Sequence, residues 1–169
     1  MIAQSLIYVA NESSKLATLV QHLGQPYTPP IIVFVTSQPR VNSLAEELVL
    51  HNVPNVDCLH AGMTKKERED AVARMRSGKS WVMITTEVMA RGMDFKGVRG
   101  VINYDFPQSV QSYIHRIGTP LSMRTWSRAQ LTLAVGRTGR AGQTGTAVTY
   151  FTDADAPYLK TWAGQVFCS

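Results

Sequence analysis

Hydroxyl, guanidinium, imidazole and carboxylate side chains recur in this sequence where short apolar runs have just ended. Thr36-Ser37-Gln38-Pro39-Arg40 follows one such run, His60-Ala61-Gly62 another, and Thr86-Glu87 with Ala90-Arg91-Gly92-Met93-Asp94 a third. Tyr104-Asp105-Phe106-Pro107 follows a fourth, and a Gly-rich stretch further on carries Arg137 and Arg140. Hydroxyls and guanidiniums donate to phosphate oxygens, and short carboxylates accept from hydroxyls. In an open parallel sheet ligands sit beyond the carboxyl ends of the strands, so these are the positions where chemistry is expected. Taken singly, each also has a structural use. Arg68 reads as a solvated helix face, Thr36 and Thr86 as strand-end turns, Asp94 as a helix N-cap, and an arginine in a Gly-rich loop as surface.

The elements that must position these residues alternate from residue 31 onward, which predicts βα units in a parallel sheet covered on both faces. Ile31 to Val35 is the clearest buried strand, and Val41, Leu44, Ala45, Leu48 and Val49 then recur at helical spacing. Val56 to Leu59, Trp81 to Thr85, Gly100 to Asn103 and Thr146 to Phe151 read as further strands, four or five forming one sheet. Thr64-Lys-Lys-Glu67 is a capping-box pattern opening a helix that stops near Ser77-Gly78, and Ser109 to Arg116 reads as another helix. Residues 1–30 are expected to be a lead-in with one helix, Ser13 to Leu23, ended by a proline-rich linker. The main domain then covers 31–162, and 163–169 forms a tail.

At 169 residues, one core is expected and two full domains are not. A hydrophobic content of 44% excludes disordered and collagen-like chains. The net charge of +5 favours a polyanionic partner, although an unbiased basic surface explains it equally well. Cys58 and Cys168 have no ligand or disulfide-scaffold spacing, which suits a reducing intracellular compartment and no metal site. No apolar run approaches the roughly 18 residues of a membrane span, so no membrane partner is expected. Gly78-Lys79-Ser80 resembles the end of a phosphate-binding P-loop. The glycine that motif needs is replaced by Ala73, and the stretch lies between a helix and a strand in the wrong order.

Together, Val33-Phe-Val-Thr36, His60-Ala-Gly-Met63, Thr85 to Asp94, Val101 to Pro107, His115-Arg-Ile-Gly118 and Arg137-Thr-Gly-Arg-Ala-Gly142 resemble the ordered motifs of the second RecA-like lobe of DEAD-box RNA helicases. The similarity covers roughly residues 3–118 and 137–162. Ala90 to Gly97 and Asn103 to Pro107 are similar in flavour to helicases of small-subunit ribosome biogenesis, which implies pre-rRNA as the RNA and the nucleolus or nucleus as the location.

The resemblance implies roles residue by residue. Asp94, with Gly92, takes the ATP ribose hydroxyl. Arg137 and Arg140 reach the ATP phosphates, where a planar guanidinium suits the charge spread over the transferring phosphoryl group. His115 and Arg116, with Arg91, face the other lobe and couple ATP binding to closure, and His115 counts with the two arginines as catalytic. Thr36, Gly62, Arg68 and Thr86 contact RNA phosphates, contacts that carry no base information. Glu87 stands where aspartate is usual. The implied cofactor is ATP with Mg2+, the ion held by a first lobe.

Two departures qualify this. Nothing here resembles the P-loop, the Asp-Glu-Ala-Asp motif or the adenine-reading glutamine motif, so the chain alone is expected not to hydrolyse ATP. Residues Thr119 to Gly136 separate two segments that run together in the family. They hold no acid, and Gly118 and Gly136 duplicate the boundary. An in-frame retained intron and a genuine surface loop both account for them, and Arg137 and Arg140 are expected to be displaced. The functional expectation is therefore one lobe of an ATP-dependent RNA helicase, acting as a monomer on RNA and not DNA, together with an N-terminal RecA-like lobe. The alternative is a noncatalytic RNA-binding or interaction module.

Overall fold

Five consecutive apolar residues, Ile31–Val35, can all be buried only in a strand covered on both faces, and that is where they lie. The computed structural model describes residues 2–91, 93, 95, 97–109, 111–113, 116 and 145–159. The expected helicase nucleotide and closure residues Gly92, Asp94, His115, Arg137 and Arg140 fall outside these, as do the insert 119–136 and the tail.

The described chain runs β1 (Ile2–Tyr8), α1 (Glu12–Gly24), β2 (Ile31–Val35), α2 (Gln38–Leu50), β3 (Val56–Leu59), α3 (Lys65–Arg76), β4 (Val82–Thr86), α4 (Glu87–Ala90), β5 (Gly100–Asn103) and β6 (Gly145–Phe151). Residues 111–113 and 116 are helical as well. The strands form one sheet in the order β1-β6-β5-β2-β4-β3, with every pairing parallel. Alternation along β2 divides the core. Ile31, Val33 and Val35 pack with Leu19 and Leu23 of α1 and Val41, Leu44 and Leu48 of α2. Ile32 and Phe34 point to the other face, against Ala71, Val72 and Met75 of α3 and Ala90 of α4.

Local chemistry sets the boundaries. Asn11 caps α1, its side chain accepting from Ser14 N at 2.9 Å. The Thr64 hydroxyl accepts from Glu67 N at 3.2 Å, and the Glu67 carboxylate accepts from Thr64 N at 2.6 Å, which closes the capping box on α3. At the other end of α3 the Lys79 and Ser80 amides donate to Arg74 O, so Gly78-Lys79-Ser80 caps a helix and presents no anion cradle.

Several expectations need correction. Residues 1–30 hold a strand as well as a helix: β1 pairs with β6 from Ile2↔Gly145 to Tyr8↔Phe151, which makes the sheet six strands wide. Gln4 and Ser5 break the apolar run there, so its strand character comes from its partner. α1 stops at Gly24, ahead of the proline-rich stretch. Val49, expected in the core with Val41 and Leu48, is 62% exposed because the buried stripe of α2 is narrower than the apolar spacing suggests.

Candidate nucleic-acid interface

Since all strands are parallel, their carboxyl ends share one edge, and the register shows which residues stand level there. Val35 pairs with Thr86, and Leu59 pairs with Thr85. Both Tyr104 N and Asp105 N donate to Phe34 O, at 3.1 and 3.2 Å. His60 and Thr86 therefore end level with Val35, while Thr36 and Asp105 lie level with each other one residue further along, with about 4.8 Å from strand to strand.

Asp105 is 6% exposed and fully engaged. Its Oδ2 accepts from Thr36 N at 2.9 Å, from Thr36 Oγ1 at 3.2 Å and from Arg40 Nε at 2.7 Å. Its Oδ1 accepts from Arg40 Nη2 and, at 3.4 Å, from the buried Lys15 ammonium. Glu12 completes the network, taking Lys15 at 2.9 Å and Arg40 at 3.1 Å. Burial alone pushes the Asp105 carboxyl up. The Arg40 guanidinium, the Thr36 N–H and the charge of Lys15 outweigh that and hold it below the ordinary carboxylate range. Lys15 and Arg40 also lie over the Tyr104 ring, at 5.3 and 5.8 Å.

Thr86 is the N-cap of α4, its hydroxyl oxygen accepting from Met89 N at 3.3 Å, which leaves the hydroxyl proton for an outside acceptor. Thr36 is the reverse case. It is exposed, but its one hydroxyl proton goes to Asp105, so in this geometry it offers lone pairs outward and cannot donate to a phosphate. The donor role expected for Thr36 is thus not the one its hydrogen bonding provides.

Glu87 joins two elements. Its Oε2 accepts from Arg116 Nε at 3.2 Å and its Oε1 from Arg91 Nη2 at 3.1 Å. Arg116 also donates through Nη1 to the carbonyl of Asp105 at 2.9 Å and lies over the Phe34 ring at 5.5 Å. At 4% exposure it is buried among these partners. Burial lowers its pKa, and Glu87 opposes that shift. Arg91, by contrast, is exposed.

Gly62 is exposed in the turn after β3, its N–H donating to His60 Nδ1 at 3.1 Å. A Cβ there would meet the far end of the flexible Gln38 side chain and displace its amide. Arg68, on the first turns of α3, donates through Nη1 to Met63 O at 3.1 Å, which anchors its five-donor fork beside Gly62. Thr36, Gly62, Arg68 and Thr86 thus gather on one edge of the sheet. Asp105, Lys15, Arg40 and Glu12 went unassigned in the sequence. Polar residues after an apolar run were the available signal, but a partnership between positions 15, 40 and 105 has no local signature.

Among the described residues no group of three His, Cys, Asp or Glu could hold a metal ion. No helix among them is long and apolar enough to cross a membrane.

A family model described as the helicase conserved C-terminal domain matches residues 14–119. The chain belongs to this family. Its likeness is to the second RecA-like lobe of DEAD-box RNA helicases. It is 44% identical over 160 residues to the ATP-dependent RNA helicase ROK1 of Meyerozyma guilliermondii, covering 94% of this chain and 26% of that protein. Among solved structures, this helicase C-terminal domain superposes on the Escherichia coli DEAD-box protein SrmB with TM-score 0.76 and 32% identity, covering 95% of this chain and 83% of that one. It superposes on Saccharomyces cerevisiae Dbp5 bound to RNA and ADP BeF3 with TM-score 0.75 and 28% identity, covering 98% and 39%. The domain spans about a quarter of the length of the curated relatives it matches.

Proposed function

We propose that this domain is the RNA- and ATP-binding second lobe of an ATP-dependent RNA helicase, closing on an N-terminal RecA-like lobe over one RNA strand. The observation that carries this is the shared carboxyl edge of the parallel sheet. It gathers Thr36, Thr86, Gly62 and Arg68, with a hydroxyl proton available on Thr86 and a fixed guanidinium on Arg68. Such donors hold a sugar-phosphate backbone without reading bases. ATP belongs to the cleft between lobes, with its ribose on Asp94, its phosphates on Arg137 and Arg140, and Mg2+ held by the N-terminal lobe. The ribosome-biogenesis flavour of Ala90 to Gly97 and Asn103 to Pro107 makes pre-rRNA the RNA class and the nucleolus the place.

Mixing the chain with an N-terminal DEAD-box lobe and measuring RNA-stimulated ATP hydrolysis tests this. Activity that disappears on Arg140→Ala supports the enzyme half. RNA binding without turnover supports a noncatalytic module, which the intervening residues 119–136 favour by separating His115 from Arg137.

A further inference from the structure

Between α1 and α2 lies a cavity of about 230 Å³ to which Tyr104 contributes. Leu16 and Leu44 give it apolar wall, and Glu12, Arg40 and Glu47 give it charge. Arg40, Leu44 and Glu47 follow one another at helical spacing, so they share a face of α2. The charges there do not balance. Lys15 and Arg40 are matched by Glu12 and Asp105, to which they are bonded. Glu47 is left over: among the described residues its carboxylate makes no hydrogen bond or ion pair. It also stands in the last turn of α2, where the helix dipole disfavours negative charge and no basic residue offsets it. Tyr104 is the second unmatched group. It is 5% exposed, yet its hydroxyl has no hydrogen-bond partner among the described residues. Burial pushes that hydroxyl up to about 12, and the charges of Glu12, Asp105 and Glu47 act in the same direction against Arg40, which marks the local field as negative.

We propose that this cavity is a socket for one arginine or lysine side chain of a partner protein, its charge set against Glu47 and its aliphatic stem against Leu16 and Leu44. A cation there completes the charge balance and donates to the Tyr104 oxygen, while the stem covers apolar wall, as long basic side chains do. An anion would meet Glu12 and Glu47, which also turns a nucleic-acid backbone away. An apolar side chain would bury the Glu47 carboxylate and the Tyr104 hydroxyl without partners. The volume falls below the roughly 300–1,000 Å³ of small-molecule sites and suits a single side chain anchoring a wider contact. The socket does not depend on the RNA-binding function proposed above.

The test is an NMR titration of the full isotope-labelled chain with a short Gly/Ser peptide carrying one central arginine. The same peptide with citrulline, the uncharged isostere, or with glutamate in that place serves as comparison. The backbone amide signals of Leu16, Leu44 and Glu47 report on the cavity. The arginine peptide should shift them saturably at millimolar concentration and bind roughly tenfold more tightly than the citrulline peptide, the scale of one charge-assisted hydrogen bond. Glu47→Gln, a change at a half-buried surface position, should erase that tenfold. Glu46→Gln, one residue away and outside the cavity, should keep it. Equal binding of the arginine and citrulline peptides overturns the proposal, as does a preference that survives Glu47→Gln. Tighter binding of the glutamate peptide would make the cavity an anion site, and no shift of these signals with any peptide would leave it without an occupant; both results overturn the proposal as well.

Discussion

Arg116 and Glu87 form an ion pair between Nε and Oε2 at 3.2 Å, joining helical residue 116 to α4 across the end of the sheet. Glu87 is the residue by which this chain departs from the aspartate usual in its motif, and its carboxylate serves Arg116 and Arg91 at once.

Without Glu87 the buried Arg116 guanidinium keeps the Asp105 carbonyl but loses its counter-charge. Glu87→Ala is expected to lower stability by about 3 kcal/mol, the usual cost of removing one partner of a buried ion pair. Glu87→Asp, which shortens the reach, should lose less. Urea unfolding of the three proteins checks both, and a change under about 0.5 kcal/mol in Glu87→Ala would show that the pair contributes nothing.

Asp105 contributes to the acid side of the stability profile, alongside Glu12 and Glu67, whose carboxyls are also held below the ordinary range. The folded pKa of Asp105 lies below its unfolded value of about 3.9, so the unfolded chain takes up the proton first. The stabilisation is complete above about pH 5 and is lost as pH falls through the folded pKa. Urea midpoints measured from pH 6 to pH 3 should fall at the acid end, with a shallower fall in Asp105→Asn.

Gly100 starts β5 between β2 and β6, where an added Cβ would meet Ile31 Cγ2 and Thr146 Oγ1, both at 2.9 Å. Gly100→Ala is expected to cost about 1–3 kcal/mol through overpacking. Gly24→Ala meets nothing within 4 Å, lacks a positive φ and should be neutral or mildly stabilising, which makes it the control for calorimetric melting.

What could be read before the fold was known follows from how local each signal is. The strands Ile31–Val35, Val56–Leu59 and Gly100–Asn103 stand in the apolar pattern itself, and the Thr64 cap stands in four consecutive residues. β1 was not legible, since Ile2–Tyr8 becomes a strand by pairing with Gly145–Phe151 at the far end of the chain. For the site, spacing placed Thr36, Gly62 and Thr86 just after strands and Arg68 on the helix that follows Gly62, and the resemblance grouped the four. They could not show where the single Thr36 proton goes, because that depends on a carboxylate 69 residues away. Nor could they show that Arg116 turns inward to the Asp105 carbonyl.

A salt titration of RNA affinity measures whether this edge of the sheet holds an RNA backbone. Binding of a labelled single strand by the full chain should weaken linearly in log affinity against log salt. Arg68→Ala should reduce the slope by about 0.7, the share of one phosphate on a single strand. Thr86→Val should lower affinity roughly fivefold, the loss of about one hydrogen bond, with the slope unchanged. Wild-type affinity and slope retained in both variants would contradict the account.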